Sequence, residues 1–447
     1  MPGASCNACD GRAAGHRTAR AISTEVAEWL LGLLVMVTLV GSVADAANPE
    51  DPEHAVAQAA AAADVVLLGE ATHGTSEFYT ERGRITERLV EDGRPAAIVI
   101  EADGPEVERA NRYVRGIGAD QSAAAALSDF RRFPRWMWRN EEFVGFVERL
   151  RAINLRRPER ARVGLYGMDI YDLYGALDRA RAFLRQHGGK SAAAGDAAAR
   201  CFAPHRRSTE AYGVASRKPA RSCAEPAQAL LPAVEASSSP TNIEGREDRF
   251  AALQAAAAVV DGEAYFRAAF AGAYSWNVRE RAMAAAIERV AEHAGEGQQA
   301  SARVVAWAHN SHVADAASTA MVDRGETSIA DLLRARASRQ VFSIGLLTHS
   351  GTVMAAPAWE RPGQVLRLVP AARTSVEGLL RRSGRSRSLL MLRGAVPAAF
   401  AEWRSQRGIG VVFDATRPDL TYSRARLATE FDAVLFVAET HAVTPLP

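Results

Sequence analysis

The segment DVVLLGEATHGT, residues 64–75, contains the pattern from which the fold of this chain is predicted. Residues 65–68 are apolar and partly β-branched, which is typical of a strand buried on both faces. Gly69 ends this run, and Glu70 and His73 follow it directly. Because an apolar core does not tolerate a carboxylate or an imidazole without a partner, these two residues indicate a chemical site at the end of a buried strand.

Composition limits the classes of protein that the chain can belong to. Its 447 residues, 48% apolar and 24% charged, suffice for a large folded core in one big domain or two. The net charge of +2 is small for this length, so the charge gives no reason to expect nucleic acid as a partner.

Apolar runs that end in polar or glycine residues recur along the chain and alternate with segments of helical periodicity. This alternation predicts an α/β fold with a mainly parallel central sheet flanked by helices. We expect one hydrolytic domain over residues 51–447, with a helical cap at about residues 170–295. Further strands are predicted at residues 96–100, 163–166, 303–307, 341–347, 410–413 and 433–437.

Helical periodicity is clearest at residues 77–92, 105–115, 143–154, 173–187, 249–294 and 328–337. The long segment at 249–294 is expected to be interrupted near Gly272. Residues 188–246 are rich in Ala, Ser, Pro and Gly, and this composition predicts an irregular excursion with one helix at most.

The first 50 residues form an N-terminal extension with an uncharged apolar run at residues 29–44. Two interpretations are open. The run followed by Ala44-Asp45-Ala46 resembles a secretory signal with its cleavage site, whereas the acidic residues Glu25 and Glu28 favour an additional N-terminal helix. A membrane contact is expected only if residues 29–44 are retained as an anchor, and export only if residues 1–46 are a signal peptide.

Four cysteines are present, in two groups. Cys6 and Cys9 form a single CxxC pair, which is a weak zinc or redox signal because no second pair accompanies it. Cys201 and Cys223 lie in the irregular segment, and either they bridge each other in an exported protein or they are two free thiols.

Ionisable residues follow four of the predicted strands, and this repetition predicts one common site. Ligands bind outside the carboxyl ends of the strands in parallel α/β sheets, so residues far apart in sequence are expected to converge there. Asp169 and His349 are supporting candidates because of their strand-end positions alone. The main candidates are Glu70, His73, Glu101, His309 and His312.

Two kinds of chemistry fit these side chains. The sequence contains no G-x-S-x-G elbow, phosphate loop or dinucleotide fingerprint, and no cysteine lies near these strand ends. In one interpretation an imidazole removes a proton from water while a carboxylate fixes its tautomer. In the other, the carboxylates and imidazoles hold zinc, iron or manganese.

Eight segments taken in order resemble the erythromycin esterase family. The resemblance runs from about residue 64 to near the C-terminus, and the combination of GEATHG with AHNSHV makes it specific. The segments are LLGEATHGTSEFYTERGRITERLV, IVIEAD, NRYVRG, FPRWMWRNEEF, GLYGMDIYDLY, NVRERAM, VVAWAHNSHVADA and IGLLTHSGTVMAA.

The resemblance implies a cytoplasmic, metal-independent and cofactor-free hydrolase that opens the lactone of a fourteen-membered macrolide such as erythromycin and so inactivates the antibiotic. It implies that His73 is the base that activates water. It also places Glu70, Arg82, Glu101, His309 and His312 on the family's other active-site positions.

Alternatives to the macrolide substrate remain open at this stage, because intact catalytic residues do not choose the ester. One is a hydrolase for a different ester, in envelope or polysaccharide metabolism. Another is a protein of the same fold that binds a metal or haem without turnover. The aromatic residues Phe133, Trp136, Trp138 and Trp276 are expected either to line a pocket for an apolar substrate or to pack in the core.

Overall fold

The computed structural model describes residues 51–93, 95–238, 242–296, 302–394 and 396–447. These residues belong to one compact unit, Ala47–Pro447. The predicted signal or anchor segment and the CxxC pair of Cys6 and Cys9 lie outside the described residues. Within the described part of the chain, no helix is long and apolar enough to cross a membrane.

An eight-stranded sheet forms the centre of the unit, in the order β3-β2-β4-β1-β5-β10-β7 with β6 paired to β5. Strands β1 to β5 and β10 pair in parallel, and β6 and β7 are antiparallel. Strands β8 and β9 form a separate antiparallel pair. The strands are β1 (Val65–Leu68), β2 (Ala97–Asp103), β3 (Gly164–Asp169), β4 (Val304–Trp307), β5 (Val341–Ala355), β6 (Gln364–Leu368), β7 (Arg387–Met391), β8 (Arg404–Arg407), β9 (Tyr422–Ala425) and β10 (Ala433–Thr440).

Strand β1 lies in the middle of this sheet, and all four of its residues are buried. Val65 is in register with Val304 of β4 on one side and with Val341 of β5 on the other. A strand with parallel neighbours on both edges and helices over both faces has no solvated side, which explains its continuous apolar run. The predicted mainly parallel α/β fold is therefore confirmed.

Helices cover the sheet and supply the connections between its strands. They are α1 (Pro52–Ala59), α2 (Ser76–Glu91), α3 (Gly104–Arg115), α4 (Ala123–Ala126), α5 (Glu141–Leu155), α6 (Leu173–His187), α7 (Ala192–Phe202), α8 (Thr209–Ser216), α9 (Ala224–Gln228), α10 (Leu230–Glu235), α11 (Ile243–Phe270), α12 (Trp276–Ala294), α13 (Asn310–Val313), α14 (Ile329–Arg334), α15 (Val376–Arg381) and α16 (Leu427–Glu430).

Helices α6 to α11 share a second hydrophobic core that is separate from the core around the sheet. The prediction of at most one helix at residues 188–246 is wrong, because α7 to α10 form there. Small alanine side chains of these helices pack against Tyr212 and Phe202. A disulfide joins Cys201 to Cys223 in the same region. The following helix α12 packs in the main core instead, through residues such as Met283 and Ile287.

Two segments near the C-terminus differ from the sequence prediction. Residues 410–413 are not a strand, because only Val412 makes an isolated bridge, to Ala356. Strand β5 extends to Ala355, beyond the predicted end at residue 347, and its second half pairs with β6. The predicted break near Gly272 is present, since this residue has a left-handed backbone with φ of 76° between α11 and α12.

The disulfide is expected to stabilise the helical region because its 22-residue sequence separation restricts the unfolded chain. A Cys201→Ala, Cys223→Ala double variant should lose about 3 kcal/mol in free energy of unfolding under oxidising conditions. Urea denaturation with and without reductant measures this loss. The double variant is the control for the reductant itself, and equal stability of oxidised and reduced wild type would contradict the prediction.

Candidate active site

The candidate site lies at the carboxyl ends of the parallel strands. Glu70 and His73 follow β1, Glu101 lies near the carboxyl end of β2, and His309 follows β4. Two glycines let the backbone after β1 fit this position. A Cβ atom at Gly69 would lie 2.1 Å from Oδ1 of Asn310, and one at Gly74 would lie 1.9 Å from a main-chain oxygen of β5.

His73 is held by a fully buried pair of opposite charges. Its Nδ1 lies 2.9 Å from Oε1 of Glu70, and Oε2 of Glu70 lies 2.6 Å from Nη2 of Arg82. The second contact is an ion pair whose angle is not that of a hydrogen bond. The Arg82 guanidinium also lies 4.8 Å from the ring centroids of both Tyr79 and Trp307, so the pair is enclosed on its apolar sides.

These contacts define the tautomer of His73. A carboxylate only accepts hydrogen bonds, so the Nδ1–H of His73 donates to Glu70. The lone pair of a neutral ring then belongs to Nε2, and His73 lines the cavity of the site. The carboxylate thus orients the ring, and Nε2 has no hydrogen-bond partner among the residues that the structure describes.

Glu101 connects a second group of charged residues. Its Oε1 accepts from Nη2 of Arg279 at 2.7 Å, and its Oε2 accepts from the backbone N–H of His309 at 2.8 Å. Arg279 also donates to both oxygens of Asp169, at 2.8 Å each. Burial raises the pKa of Glu101, but the positive charges of His312 and Arg279 outweigh it and hold that pKa well below its usual range.

His312 is enclosed by carboxylates and stacked on an aromatic ring. Its Nδ1 lies 2.6 Å from Oε1 of Glu280 and its Nε2 lies 3.2 Å from Oε1 of Glu101, while the Trp276 ring is parallel to it at 4.9 Å. Burial lowers the pKa of His312, but Glu280 and Glu101 outweigh this effect and raise it to about 9. The ring is therefore an imidazolium at neutral pH. The 3.0 Å separation of Nε2 from Nη1 of Arg279 is a contact between two cations, not a hydrogen bond.

His309 differs from His312 in its charge. Burial and the neighbouring His73 lower its pKa to about 3, so this ring is neutral. Its Nε2 lies 3.2 Å from the carbonyl oxygen of Ala71, which only accepts, and its Nδ1 lies 2.9 Å from Oγ of Ser311. The proton is therefore assigned to Nε2, and the ring packs 5.0 Å from that of His73.

A cavity of about 290 Å³ opens in front of these residues. Of the six residues predicted for the site, four line it, and Glu70 and Arg82 lie behind His73 and outside it. Phe133, Trp138 and Trp276 of the predicted aromatic group also line this cavity, whereas Trp136 lines a neighbouring one. The four predicted site residues at the cavity are His73, Glu101, His309 and His312.

Asp169, a supporting candidate, is brought into the site by its ion pair with Arg279, but His349 is not among the lining residues. Several residues of the site were not predicted. Arg279 and Glu280 belong to the segment NVRERAM, and their adjacent opposite charges on a helix resemble an exposed face. Burial of both is the feature that distinguishes them, since Arg279 is 6% exposed and Glu280 fully buried.

Metal-ligand geometry is absent in the part of the chain that the structure describes. No group of three or more His, Cys, Asp or Glu side chains there is arranged to hold a metal ion. The imidazoles are instead directed at carboxylates, a hydroxyl and a carbonyl.

The carboxylate-supported imidazole lies at the strand ends of a parallel α/β sheet, where such sheets bind their ligands. The model of the erythromycin esterase family matches residues 95–440, which is more than three quarters of the chain. The chain therefore belongs to the erythromycin esterase family. Glu70, His73 and Arg82 precede the matched range and join the site through the position of β1 in the sheet.

Three solved structures share the fold. A protein described as a succinoglycan biosynthesis protein is 18% identical, with a TM-score of 0.70, and the match covers 91% of this chain and 98% of that one. A protein from Bacillus cereus is 15% identical, with a TM-score of 0.72 and coverages of 91% and 99%. An erythromycin esterase mutant in its open conformation is 15% identical, with a TM-score of 0.63 and coverages of 90% and 97%.

The charge state of His312 gives a prediction for stability at alkaline pH. Because its folded pKa of about 9 lies above the ordinary value of 6.5, the imidazolium contributes full stabilisation below about pH 6.5 and loses it as the pH rises through about 9. A Glu280→Gln variant should lower the pKa and move this loss to lower pH. Urea denaturation between pH 6 and 10 measures stability, and NMR titration of the imidazole measures the pKa.

The matched control is Glu402→Gln, which removes the same charge from a side chain that is 67% exposed. An unchanged His312 pKa in the Glu280→Gln variant would show that this carboxylate does not hold the proton.

Proposed function

We propose that the protein hydrolyses a carboxylic ester with water that His73 activates. The observation that carries this proposal is the hydrogen bond from Nδ1 of His73 to the buried Glu70, which leaves Nε2 at the cavity wall as a base. Membership of the erythromycin esterase family supports the same reaction class.

The reaction follows from these positions in two steps. Nε2 of His73 takes a proton from water as the water oxygen bonds to the ester carbonyl carbon, and the carbonyl π electrons move to its oxygen. The tetrahedral intermediate then breaks the bond to the alcohol oxygen, which receives the proton from His73. The products are a carboxylic acid and an alcohol, which remain one molecule when the ester is a lactone.

The cationic side chain of Arg279 at the cavity wall stabilises the oxyanion of this intermediate. Arg279 donates through Nε and Nη2 to Asp169 and Glu101, so its Nη1, 3.0 Å from His312, is free of carboxylate partners among the described residues. We infer that Arg279 stabilises the oxyanion through Nη1, whereas both N–H groups of His312 are directed at Glu101 and Glu280. Removal of one such donor in other enzymes costs about 10²–10³ in kcat.

Arg82 has a positioning role in this mechanism. It is fully buried, and it reaches Glu70 and not the cavity. Without it, Glu70 would be a buried carboxylate whose remaining side-chain contact in the described structure is the hydrogen bond from His73, so the orientation of His73 would be held less firmly.

A fourteen-membered macrolide lactone is the leading substrate, and no cofactor is part of the proposal. The family and the structurally similar erythromycin esterase support this choice. The cavity of about 290 Å³ is near the lower end of the usual range for ligand sites, about 300–1,000 Å³, so a macrolide would extend beyond it. This size favours a smaller or elongated non-macrolide ester as the second candidate, and the succinoglycan biosynthesis protein shares the fold.

Mass spectrometry of erythromycin after incubation with the purified protein, with and without a strong chelator, tests the first candidate. A product heavier by one water in both samples is the expected result. Loss of the product with chelator would assign the imidazoles as ligands of a metal. An unchanged mass in both samples would reject the macrolide, and a panel of aryl and sugar esters then tests the second candidate.

Substitution of the base gives a second test. His73→Asn should lower kcat for any ester that the wild type hydrolyses by about 10²–10⁴, the usual contribution of a general base. Glu70→Gln should also lower kcat, because an amide can leave the wrong tautomer of His73. Circular dichroism checks that each variant is folded. A His73→Asn variant that hydrolyses at the wild-type rate would refute the mechanism.

A further inference from the structure

Ser311 places a hydroxyl group in the wall of the cavity that His73 also lines. Its Oγ lies 2.9 Å from Nδ1 of His309, and the ring centroids of His309 and His73 are 5.0 Å apart. The short helix α13 that carries Ser311 is attached to the loop after β1, because the backbone N–H of Asn310 donates to the carbonyl oxygen of Glu70 at 2.8 Å. This attachment fixes the hydroxyl relative to the proposed base.

The direction of the hydrogen bond between Ser311 and His309 follows from the other partners of this ring. The backbone N–H of Ser311 donates to Nδ1 at 3.3 Å, so Nδ1 carries a lone pair and no proton. The proton of the neutral ring lies on Nε2, which donates to the carbonyl oxygen of Ala71. The Ser311 hydroxyl can therefore only donate to Nδ1. Its Oγ keeps two lone pairs, and no donor among the described residues binds them.

This geometry makes Ser311 an acceptor and not a nucleophile. A serine hydroxyl attacks an ester only when a base takes its proton. Burial and the neighbouring His73 hold the pKa of the His309 ring at about 3, so the ring is a weak base at neutral pH. Ser311 is thus suited to accept a hydrogen bond from a molecule in the cavity.

The water that attacks the ester needs two acceptors in this wall. One hydrogen is directed at Nε2 of His73, and the lone pair of the water is aimed at the ester carbonyl carbon only when the second hydrogen is also bound. Glu101 lines the same cavity, but its Oε1 already accepts from Arg279 at 2.7 Å and its Oε2 from the backbone N–H of His309 at 2.8 Å. The hydroxyl of Ser311 supplies an acceptor that these donors do not occupy.

We propose that Oγ of Ser311 is a catalytic group that holds the second hydrogen of the attacking water while His73 takes the first. The first hydrogen moves to Nε2 of His73 as the water oxygen bonds to the carbonyl carbon. The second hydrogen stays on that oxygen in the tetrahedral intermediate, and Ser311 neither gains nor loses a proton. This role rests on the proposed function and deepens it, because it names the residue that positions the nucleophile.

A high-resolution crystal structure of the wild type tests the water site without any substrate. We expect one ordered water within about 2.6–3.2 Å of both Nε2 of His73 and Oγ of Ser311. This water should be absent or displaced in the Ser311→Ala variant. A wild-type structure in which the two atoms share no water would overturn the proposal.

Kinetics with 4-nitrophenyl acetate and with erythromycin measure the catalytic role. Ser311→Ala should lower kcat by about tenfold, the equivalent of about 1.4 kcal/mol, and leave KM unchanged, because it removes one hydrogen bond to the reacting water. Ser311→Thr keeps Oγ and should retain most of the rate. The tautomer of His309 is preserved in both variants, since the backbone N–H of residue 311 still donates to Nδ1. An unchanged kcat in Ser311→Ala would refute the role.

The matched control is Ser350→Ala. Oγ of Ser350 also contacts a histidine ring, at 3.3 Å from Nδ1 of His349, but neither residue is among the described residues that line the cavity. This variant should keep the wild-type kcat. A fall in kcat equal to that of Ser311→Ala would show that loss of any such hydroxyl has the same effect, and the proposal would be overturned.

Two further outcomes separate this role from the proposed function. An acyl group attached to Ser311, detected by mass spectrometry of the protein during turnover, would make Ser311 a nucleophile and overturn the proposal. A wild type that contains the bridging water and hydrolyses no ester would reject the proposed function. A wild type that hydrolyses an ester equally well with and without the Ser311 hydroxyl would reject this role alone.

Discussion

The carboxylate of Glu70 is the group on which the rest of the site depends. It is fully buried, and a buried charge persists only where partners replace the water that it has lost. Arg82 supplies the opposite charge at 2.6 Å, and His73 supplies a hydrogen bond at 2.9 Å. The first contact places an opposite charge beside the carboxylate, and the second orients the imidazole. Both require β1 to lie in the centre of the sheet, where its carboxyl end is enclosed.

The same principle explains why neighbouring histidines differ in charge. His312 lies between two carboxylates and is cationic, whereas His309 meets a carbonyl and a hydroxyl and is neutral. The Arg279 guanidinium joins Glu101 to Asp169 across strands β2 and β3. The cavity wall thus presents His73 beside two cations, Arg279 and His312, each of which is held in place by carboxylates.

Features determined by short stretches of sequence were predictable, and features determined by distant pairing were not. The apolar run of β1 and the residues after it predict a buried strand that ends at a site. Arg279 belongs to a helix with alternating charges. It is buried where its guanidinium pairs with Asp169, which lies 110 residues earlier in sequence. The alanine-rich segment at residues 188–246 has weak periodicity, so its four helices follow from packing around Tyr212 and Phe202. Residues 410–413 have strand-like composition, but only one bridge forms there.

The central position of β1 also has a consequence for how the chain is made. Its two neighbours in the sheet are β4 and β5, which begin at Val304 and Val341. During synthesis the ribosome needs on the order of 10–50 seconds to produce the residues between β1 and β4, and β1 has no partner strand in that interval. The apolar strand β1 therefore remains without its neighbouring strands during that interval, so this fold is expected to assemble late and slowly.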